Sequence, residues 1–389
     1  MSNRNKKIVV IGAGMGGLTA AAGLSRAGFE VEVYERAREL RPAGTALSLM
    51  TNALTALDTI GIRPDFEGRA VVFESLVFRS KRGRLIRALK FGEIARRLGQ
   101  PNLAIHRGAL QQALLEQASD CKIDLGAPAA GYRRDGNGVV VCLQDGREVR
   151  ADAVIGADGF NSVIRRGVAG PERPLDYDYA CWRATPQFTH PVVTPAYAAH
   201  YWGRGQRFGL VDLGNGQVYW WATKNMPNSR VAEGQAGGRD ELLRMFEGWA
   251  EEIPAVIAAT PADTIGCVPA QDRPFLEQWG DGPVTLVGDA AHPMLSSLGQ
   301  GAAIAIEDGV VLAHCLSTID DTEAALRAYE DRRRARARVM VEASRSLSRT
   351  EQLEKSVQTI GRELYFRFTR ERIFEQQNTL SLTFPGVGQ

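Results

Sequence analysis

A glycine-rich turn near the start of the chain constrains the fold more than any other feature. It consists of Gly12-Ala13-Gly14-Met15-Gly16-Gly17. Residues 8–11 before the turn form a short apolar run typical of a buried strand, and residues 18–24 after it have the small side chains of a closely packed helix. A strand, a glycine turn and a helix in this order predict a unit that binds the phosphates of a dinucleotide.

Each glycine of this unit has a mechanical reason. Gly12 permits the tight turn, Gly14 lets the backbone approach a pyrophosphate, and Gly17 lets the helix pack closely on the strand. Glu35 ends the next apolar run about twenty residues later, where a carboxylate accepts hydrogen bonds from an adenosine ribose. The unit by itself does not distinguish NAD from FAD. A purely structural turn, or a secretion signal that includes Lys6, is a less favoured interpretation.

Composition favours an enzyme of the cytoplasm. A chain of 389 residues can bury a large core, divided between two packed units. Charged residues make up 24% of the chain and the formal net charge is +2, so we expect neither nucleic acid nor a membrane as a partner. The five cysteines form no close pairs, so we expect no metal site and no disulfide framework.

A second motif follows a strand in the middle of the chain. A predicted hairpin, residues 139–143 and 148–155, leads into Gly156-Ala157-Asp158-Gly159 and places Asp158 at the carboxyl edge of a sheet. Open α/β folds bind their ligands at that edge, although an ordinary Asp-Gly turn is an alternative. Arg107 begins a predicted helix, where its guanidinium either lies beside a diphosphate or is simply solvated.

The third motif lies late in the chain. Residues 284–287 form an apolar strand that delivers Gly288 and Asp289 to another strand end, and we expect the neighbouring His292 to support the loop. Gly299-Gln300-Gly301 then precedes an apolar helix over residues 302–316. The N-terminus of this helix offers backbone donors and positive potential, which suit the negative charge of a reduced flavin. A helix entered through an ordinary glycine turn is the alternative.

Residues 174–269 differ from the rest in being rich in aromatic, strand-like stretches. They predict an inserted antiparallel sheet that carries Trp182, Trp202, Trp220 and Trp221. Aromatic faces there could line a pocket for a flat apolar ligand, while ordinary sheet packing explains most of them. Because side chains alternate along a strand, Trp220 and Trp221 are expected to face opposite sides.

Together the three motifs, in this order, resemble the single-component FAD-dependent aromatic hydroxylases of the para-hydroxybenzoate and salicylate hydroxylase type. The resemblance extends from Lys7 to about Arg338. It implies that the first motif holds the ADP part of FAD, the second serves FAD and the nicotinamide cofactor, and the third contacts the ribityl chain. The cofactor-binding residues that it implies are Gly12, Gly14, Gly17, Glu35, Arg36, Ser48, Arg107, Asp158, Gly288, Asp289, Gly299, Gln300, Gly301 and Ala302.

The same resemblance implies a reaction. NADH or NADPH is the transient reductant of the flavin, O₂ adds at its C4a position, and the resulting hydroperoxide hydroxylates an aromatic or N-heteroaromatic molecule. The sheet resembles that of FAD-dependent urate hydroxylases, which implies that Arg207 and Tyr219 bind the substrate, with Pro293 to Leu295 as the near wall. Those enzymes carry an acidic residue shortly before the Gly299-Gln300-Gly301 loop, which is called the flavin loop below. In this chain Ser296-Ser297-Leu298 stands there instead, so urate itself is not expected.

The predicted fold class is therefore α/β: a Rossmann-like FAD-binding domain with an inserted, mainly antiparallel β-sheet substrate domain and C-terminal helices. The FAD-binding domain comprises residues 1–75, 98–173 and 270–320. Residues 76–97 are expected to be an irregular segment on the substrate side, residues 174–269 the sheet, and residues 321–389 the helical region.

Several questions stay open from the sequence. No catalytic base is assigned, although His200 and Tyr201 are candidates. Epoxidation of an olefin, or a flavin-binding module without turnover, is an alternative function, and a homodimer is an open alternative to a monomer. The arginine run from Arg332 to Arg338 is interpreted as a solvated helix face.

Overall fold

The computed structural model describes residues 6–40, 45–136 and 138–388. The strands are β1 (Lys7–Ile11), β2 (Glu30–Glu35), β3 (Ala46–Leu49), β4 (Ala70–Val72), β5 (Ser75–Ser80), β6 (Leu85–Lys90), β7 (Leu103–His106), β8 (Lys122–Leu125), β9 (Ala129–Asp135), β10 (Gly138–Leu143), β11 (Glu148–Ala151), β12 (Ala153–Gly156), β13 (Leu175–Ala184), β14 (Ala198–Trp202), β15 (Gln206–Gly214), β16 (Gln217–Asn225), β17 (Gly266–Asp272) and β18 (Val284–Leu286). The helices are α1 (Met15–Arg26), α2 (Thr51–Thr59), α3 (Phe91–Leu98), α4 (Arg107–Gln117), α5 (Val163–Ala169), α6 (Asn228–Ala232), α7 (Arg239–Met245), α8 (Glu252–Ala259), α9 (Gly301–Thr318), α10 (Thr322–Glu351), α11 (Ser356–Phe368) and α12 (Glu371–Leu382).

A five-stranded parallel sheet, in the order β18-β12-β1-β2-β8, forms the centre of the first unit. Strands β1 and β12 are buried on both faces, which explains their short runs of Val and Ile. All pairings in this sheet are parallel, so the carboxyl ends of β1, β2, β12 and β18 meet at one edge. The predicted α/β class is confirmed, and the three motifs follow strands that end at this edge.

Helices α1 and α9 cross at very short range because glycines lie at the contact. A Cβ atom on Gly16 would lie 2.9 Å from the Ala305 carbonyl oxygen, and one on Gly309 would lie 2.8 Å from the Ala20 nitrogen. This close packing brings the N-termini of α1 and α9 to the same side of the parallel sheet. Helix α9 alone among the described residues has the length and composition of a membrane span, but 72% of it is buried, as is typical of a core helix.

The second unit is a seven-stranded sheet in the order β17-β13-β16-β15-β14-β5-β6. It is antiparallel except for the parallel pair β14 and β5. The prediction of an irregular segment over residues 76–97 is wrong, because these residues complete the hairpin of β5 and β6 and then form α3. Their charged side chains suggested a loop, but β6 is the exposed edge of the sheet, where alternate residues meet solvent. The domain boundaries themselves stay a prediction.

The C-terminal helices close the structure against both units. Helix α10 contradicts the interpretation of the arginine run as a solvated face, because Arg333 is 1% exposed and pairs with Glu307 and Asp308 of α9. Phe366 of α11 and Phe374 of α12 pack with β5 and β6 of the seven-stranded sheet.

Candidate active site

One continuous cavity of about 640 Å³ lies between the edge of the parallel sheet and one face of the seven-stranded sheet. The glycine turn of β1 and α1 lines one end, and strands β13 to β16 line the other. Residues that are far apart in the sequence therefore meet around a single elongated space.

The glycine turn has the geometry of a phosphate-binding site. A Cβ atom on Gly12 would lie 2.4 Å from the Ala157 carbonyl oxygen, and one on Gly17 would lie 2.1 Å from the Gly12 carbonyl oxygen. A Cβ atom on Gly14 would instead meet nothing closer than 3.9 Å, because Gly14 borders the cavity. The N-terminus of α1 carries no side-chain cap, so its free N–H groups are available to an anion. These features fit a diphosphate.

Glu35 lines the cavity beside this turn. Its carboxylate accepts hydrogen bonds from the backbone N–H groups of Ala13 and Ala37, both at 2.8 Å. These bonds fix the carboxylate at the end of β2, where remaining lone pairs can accept from ribose hydroxyls. Arg36 and Ser48, the other residues expected near the cofactor, also line the cavity.

Arg107 and Asp289 line the middle of the cavity. Arg107 is the first residue of α4, and its exposed guanidinium has no hydrogen-bond or ion-pair partner in the described part of the chain. The Asp289 carboxylate likewise has no hydrogen-bond partner among the described residues. Enclosure by the protein raises the pKa of the Asp289 carboxyl, whereas nearby His292 and Arg107 lower it. Both side chains are thus free to bind a ligand.

Asp158 lines the cavity but already has a local structural role. Its carboxylate accepts hydrogen bonds from the Ser162 hydroxyl and from the Val163 N–H at 2.7 Å, which stabilises the start of α5. Burial raises the pKa of this carboxyl, and these hydrogen bonds partly offset the shift.

The glycines of the loop before α9 place backbone at the cavity. Gly288, Gly299, Gly301 and Ala302 line it, and Gly299 has the positive φ of 65° that favours glycine. Gln300 does not line it: its side chain is 2% exposed and accepts a hydrogen bond from Asn52 at 3.1 Å. The prediction that Gln300 binds the cofactor is therefore unsupported for its side chain.

A buried network holds this loop in place. Asp308 of α9 accepts hydrogen bonds from the Gly288 N–H at 3.0 Å and from Arg333 at 2.8 Å, and His292 lies 2.6 Å from the same carboxylate. Burial raises the pKa of the Asp308 carboxyl, but His292 and Arg333 outweigh it and hold the pKa below its ordinary value. His292 thus supports the loop, as the sequence suggested.

The substrate end of the cavity follows from strand register. His200 of β14 lies opposite Gly209 of β15, which lies opposite Trp221 of β16, so these residues share the cavity face. The alternate residues Tyr201 and Trp220 face the other side and pack in the core behind the sheet. The expected opposition of Trp220 and Trp221 is confirmed, and Tyr201 is excluded as a base because it points away from the cavity.

The substrate end of the cavity, called the chamber below, has mostly apolar walls. Leu295 lines the chamber, as predicted, whereas Pro293 does not. The loop turns at residues 296–298, so residues 294–298 rather than Pro293 face the cavity. Tyr219 lines the chamber, and burial raises the pKa of its phenol. The apolar side chains lining this end include Phe73, Leu76, Val211, Leu213, Trp221, Met294, Leu295 and Leu298.

Arg207 also lines the chamber, and it has a partner that the sequence did not reveal. It is 1% exposed and forms an ion pair with Glu351, the last residue of α10. Glu351 is 0% exposed, so both charges are buried. A carboxylate is therefore present near Arg207, although it comes from α10 rather than from the flavin loop.

Gly209 is expected to control the position of Trp221. A Cβ atom at Gly209 would lie 2.1 Å from Trp221 Cζ2, so Gly209→Ala should displace the indole and cost about 1–3 kcal/mol of stability. Near-UV circular dichroism and urea unfolding would measure both effects. The double variant Gly209→Ala with Trp221→Leu should recover part of the lost stability, and equal losses in both variants would show that the two side chains do not conflict.

Comparison with known proteins gives a consistent result. The family described as "FAD binding domain" matches residues 5–344. An aurachin C monooxygenase/isomerase of Stigmatella aurantiaca is 35% identical over 97% of this chain and 98% of its own length. An FAD-dependent urate hydroxylase of Klebsiella pneumoniae is 30% identical over 86% of this chain and 88% of its own length.

A solved structure agrees with these matches. Klebsiella pneumoniae HpxO, complexed with FAD and uric acid, superposes with a TM-score of 0.89 at 27% identity and covers 98% of both chains. The resemblance drawn from the three motifs is confirmed. This chain belongs to the FAD-binding-domain family and is an FAD-dependent monooxygenase.

Proposed function

We propose that this enzyme hydroxylates a small aromatic or N-heteroaromatic molecule, with O₂ as the oxygen source and NADH or NADPH as the transient reductant, in the cytoplasm. The observation that supports this best is the continuous cavity, with a diphosphate-binding turn at one end and an apolar chamber containing a few polar groups at the other. Bound FAD supplies reducing equivalents and activated oxygen.

The residues present fit FAD. The N-terminus of α1 and the open side of Gly14 would receive the diphosphate, while Glu35 would bind the ribose. The free side chains of Arg107 and Asp289 would bind the part of the cofactor between the diphosphate and the ring. The N-terminus of α9 would stabilise negative charge on the flavin ring, as helix-end donors do at anionic sites.

The chamber favours a flat molecule with one polar edge. Trp221 and Leu295 exclude water from around the ring, and Arg207 and Tyr219 provide hydrogen-bonding groups at its edge. Uric acid, bound in the related structure, is such a molecule. Ser296 and Ser297 stand where an acidic residue is expected for urate, so a different ring compound is the better proposal.

A substrate panel tests this function. Purified holoenzyme is incubated with NADH or NADPH and with phenols, aminobenzoates, hydroxypyridines and aurachin C, the last because the 35% identical relative is named for it. We expect one compound to stimulate oxidation of the reduced nicotinamide and to gain one oxygen atom by mass spectrometry, with NMR placing that oxygen in a hydroxyl group on the ring. An epoxide as the product, or a yellow protein that no compound stimulates, would contradict the proposal.

Arg207→Met is expected to weaken binding of the best panel compound by about tenfold, since a buried charged hydrogen bond is lost. Absorbance titration of the FAD-loaded variant would measure the change, with a thermal melt to report any loss of folding from unpaired Glu351. Arg204→Met is the matched control, because Arg204 lies in the turn before the same strand and is exposed. Equal affinities in both variants would remove Arg207 from the substrate site.

A further inference from the structure

Four buried polar atoms without hydrogen-bond partners lie in the Arg207 region of the chamber. They are His200 Nδ1, Arg207 Nε, Ser297 Oγ and Glu351 Oε1. Buried polar atoms in folded proteins nearly always have partners, so several orphans in one place indicate a site whose hydrogen bonds are completed by a ligand or a shared proton.

Two of these atoms face each other. His200 Nδ1 lies 3.8 Å from Glu351 Oε1, while Arg207 holds the other oxygen of the same carboxylate. Phe78 and Trp221 pack against the imidazole edge to face, with ring centroids at 5.2 Å and 4.8 Å. The imidazole is therefore held with its Nδ1 side toward Glu351.

The two residues differ in their access to the chamber. His200 lines the cavity, whereas Glu351 does not line it and is 0% exposed. With Nδ1 directed at the carboxylate, Nε2 is the imidazole atom left for a ligand. Glu351 can therefore act on a ligand only through a neighbouring side chain that lines the cavity, and His200 is the neighbour that can accept a proton.

We infer that His200 accepts the proton of a ring O–H or N–H group of the substrate, and that Glu351 is the residue that positions the imidazole for this step. This inference rests on the proposed function, because an ionised ring is more nucleophilic toward the oxygen that the enzyme transfers. The O–H or N–H bond breaks, its electron pair stays on the substrate, and the proton moves to Nε2.

The charges of the site balance before and after this transfer. At first Arg207 is positive, Glu351 is negative, and His200 and the substrate are neutral. Afterwards the imidazolium lies between the Glu351 carboxylate and the substrate anion, and Arg207 pairs with Glu351 as before. No uncompensated buried charge is created, which is the condition for a proton transfer in a dry chamber.

The groups around His200 leave it able to accept a proton at neutral pH. Burial lowers the pKa of the imidazole, Glu351 of α10 raises it, and Arg207 of β15 lowers it, so the ring starts neutral. From β5 and β16 only the rings of Phe78 and Trp221 pack against it. Tyr219 is a poor alternative to His200 as the proton acceptor, because burial raises the pKa of its phenol and keeps it protonated at neutral pH.

A chromogenic phenol tests the inference without turnover. Holoenzyme is titrated with 4-nitrophenol about one pH unit below the solution pKa of the probe, and difference spectra report phenol and phenolate separately. We expect the phenolate-to-phenol ratio of bound probe to be about tenfold higher for the natural protein than for His200→Gln, in which the Arg207–Glu351 pair is intact.

His190→Gln is the matched control. His190 Nε2 lies 3.8 Å from the Glu251 carboxylate, the same separation as in the proposed pair, but His190 does not line the cavity. This variant should leave the spectrum of the bound probe unchanged. Equal ionisation in His200→Gln and the natural protein, or no bound phenolate in the natural protein, would overturn the role of His200.

Glu351→Gln tests the positioning role, with a thermal melt to report any loss of folding from unpaired Arg207. We expect the bound probe to lose most of its ionisation and the acidic limb of the pH profile for turnover to move, with Glu351→Asp recovering part of both. Unchanged ionisation in Glu351→Gln would overturn the role of Glu351. The 4-nitrophenol titration reports proton transfer directly and needs no turnover. A substrate panel without any product would therefore contradict the proposed function but would not decide the role of His200.

Discussion

Gly17→Ala is expected to destabilise the protein by about 3 kcal/mol, at the upper end of the usual cost of overpacking. The new methyl group would lie 2.1 Å from the Gly12 carbonyl oxygen and 3.0 Å from Ala157 Cβ. Both neighbours belong to strand ends or turns of the parallel sheet and cannot rotate away. The helix α1 must therefore move off β1, and urea unfolding of the FAD-free protein would measure the loss.

Gly14→Ala in the same turn is the matched control. Its methyl group would meet nothing closer than 3.9 Å and would project toward the cavity, so stability should change by less than about 1 kcal/mol. FAD affinity should nevertheless fall by about tenfold or more, because the methyl group occupies the space of the diphosphate. Unchanged FAD affinity in Gly14→Ala would show that the diphosphate does not lie against this turn, and unchanged stability in Gly17→Ala would contradict the packing.

The cofactor end of the site could be predicted from the sequence because its signals are local. A strand, a turn and a helix occupy neighbouring residues, and parallel strands bring their carboxyl ends to one edge whatever the rest of the chain does. Asp158 and Asp289 follow strands β12 and β18 of that sheet, and both line the cavity. Arg107 also lines it but follows β7 of a different sheet, so only the family resemblance indicated its place. Gln300 does not line it, because the direction of a loop side chain depends on its tertiary partner, here Asn52.

The polar groups of the substrate end could be predicted only in part. Strand alternation indicates that Trp220 and Trp221 lie on opposite faces of the sheet, but it does not reveal what packs onto either face. Glu351 is 144 residues from Arg207 in the sequence, and it is one of many charged residues in the 30-residue helix α10, so nothing in the sequence singles it out. The interpretation of Arg333 as solvated is wrong for the same reason. A run of arginines is typical of a solvated helix face, and the sequence does not show that Glu307 and Asp308 of α9 pack against it.

Arg333→Met is expected to cost about 3–5 kcal/mol at pH 7, because it removes a buried positive charge that pairs with two buried carboxylates. Asp308 and Glu307 are both 0% exposed. Glu307 keeps its ion pair with Arg336 at 2.6 Å, so the penalty arises mainly at Asp308, which keeps only His292 and the Gly288 N–H. The loop that carries Asp289 should loosen as a result, and urea unfolding would measure the change in stability.

The pH dependence of this loss distinguishes a buried ion pair from simple loss of packing. The folded-state pKa of Asp308 lies below its ordinary value, so in the natural protein its contribution to stability is present at neutral pH and is lost as the pH falls through the acidic range. In Arg333→Met, the effect of burial on the Asp308 pKa is no longer outweighed by Arg333. The Asp308 carboxyl therefore takes up a proton at a higher pH than in the natural protein. The difference in stability between the two proteins should therefore shrink as the pH falls toward about 4, near the unfolded-state pKa of Asp. Arg334→Met on the same helix loses an ion pair with the 73% exposed Asp331 and should change stability by less than about 1 kcal/mol. A loss for Arg333→Met that is as large at pH 4 as at pH 7, or a similar loss for Arg334→Met, would contradict a buried charge network beneath the flavin loop.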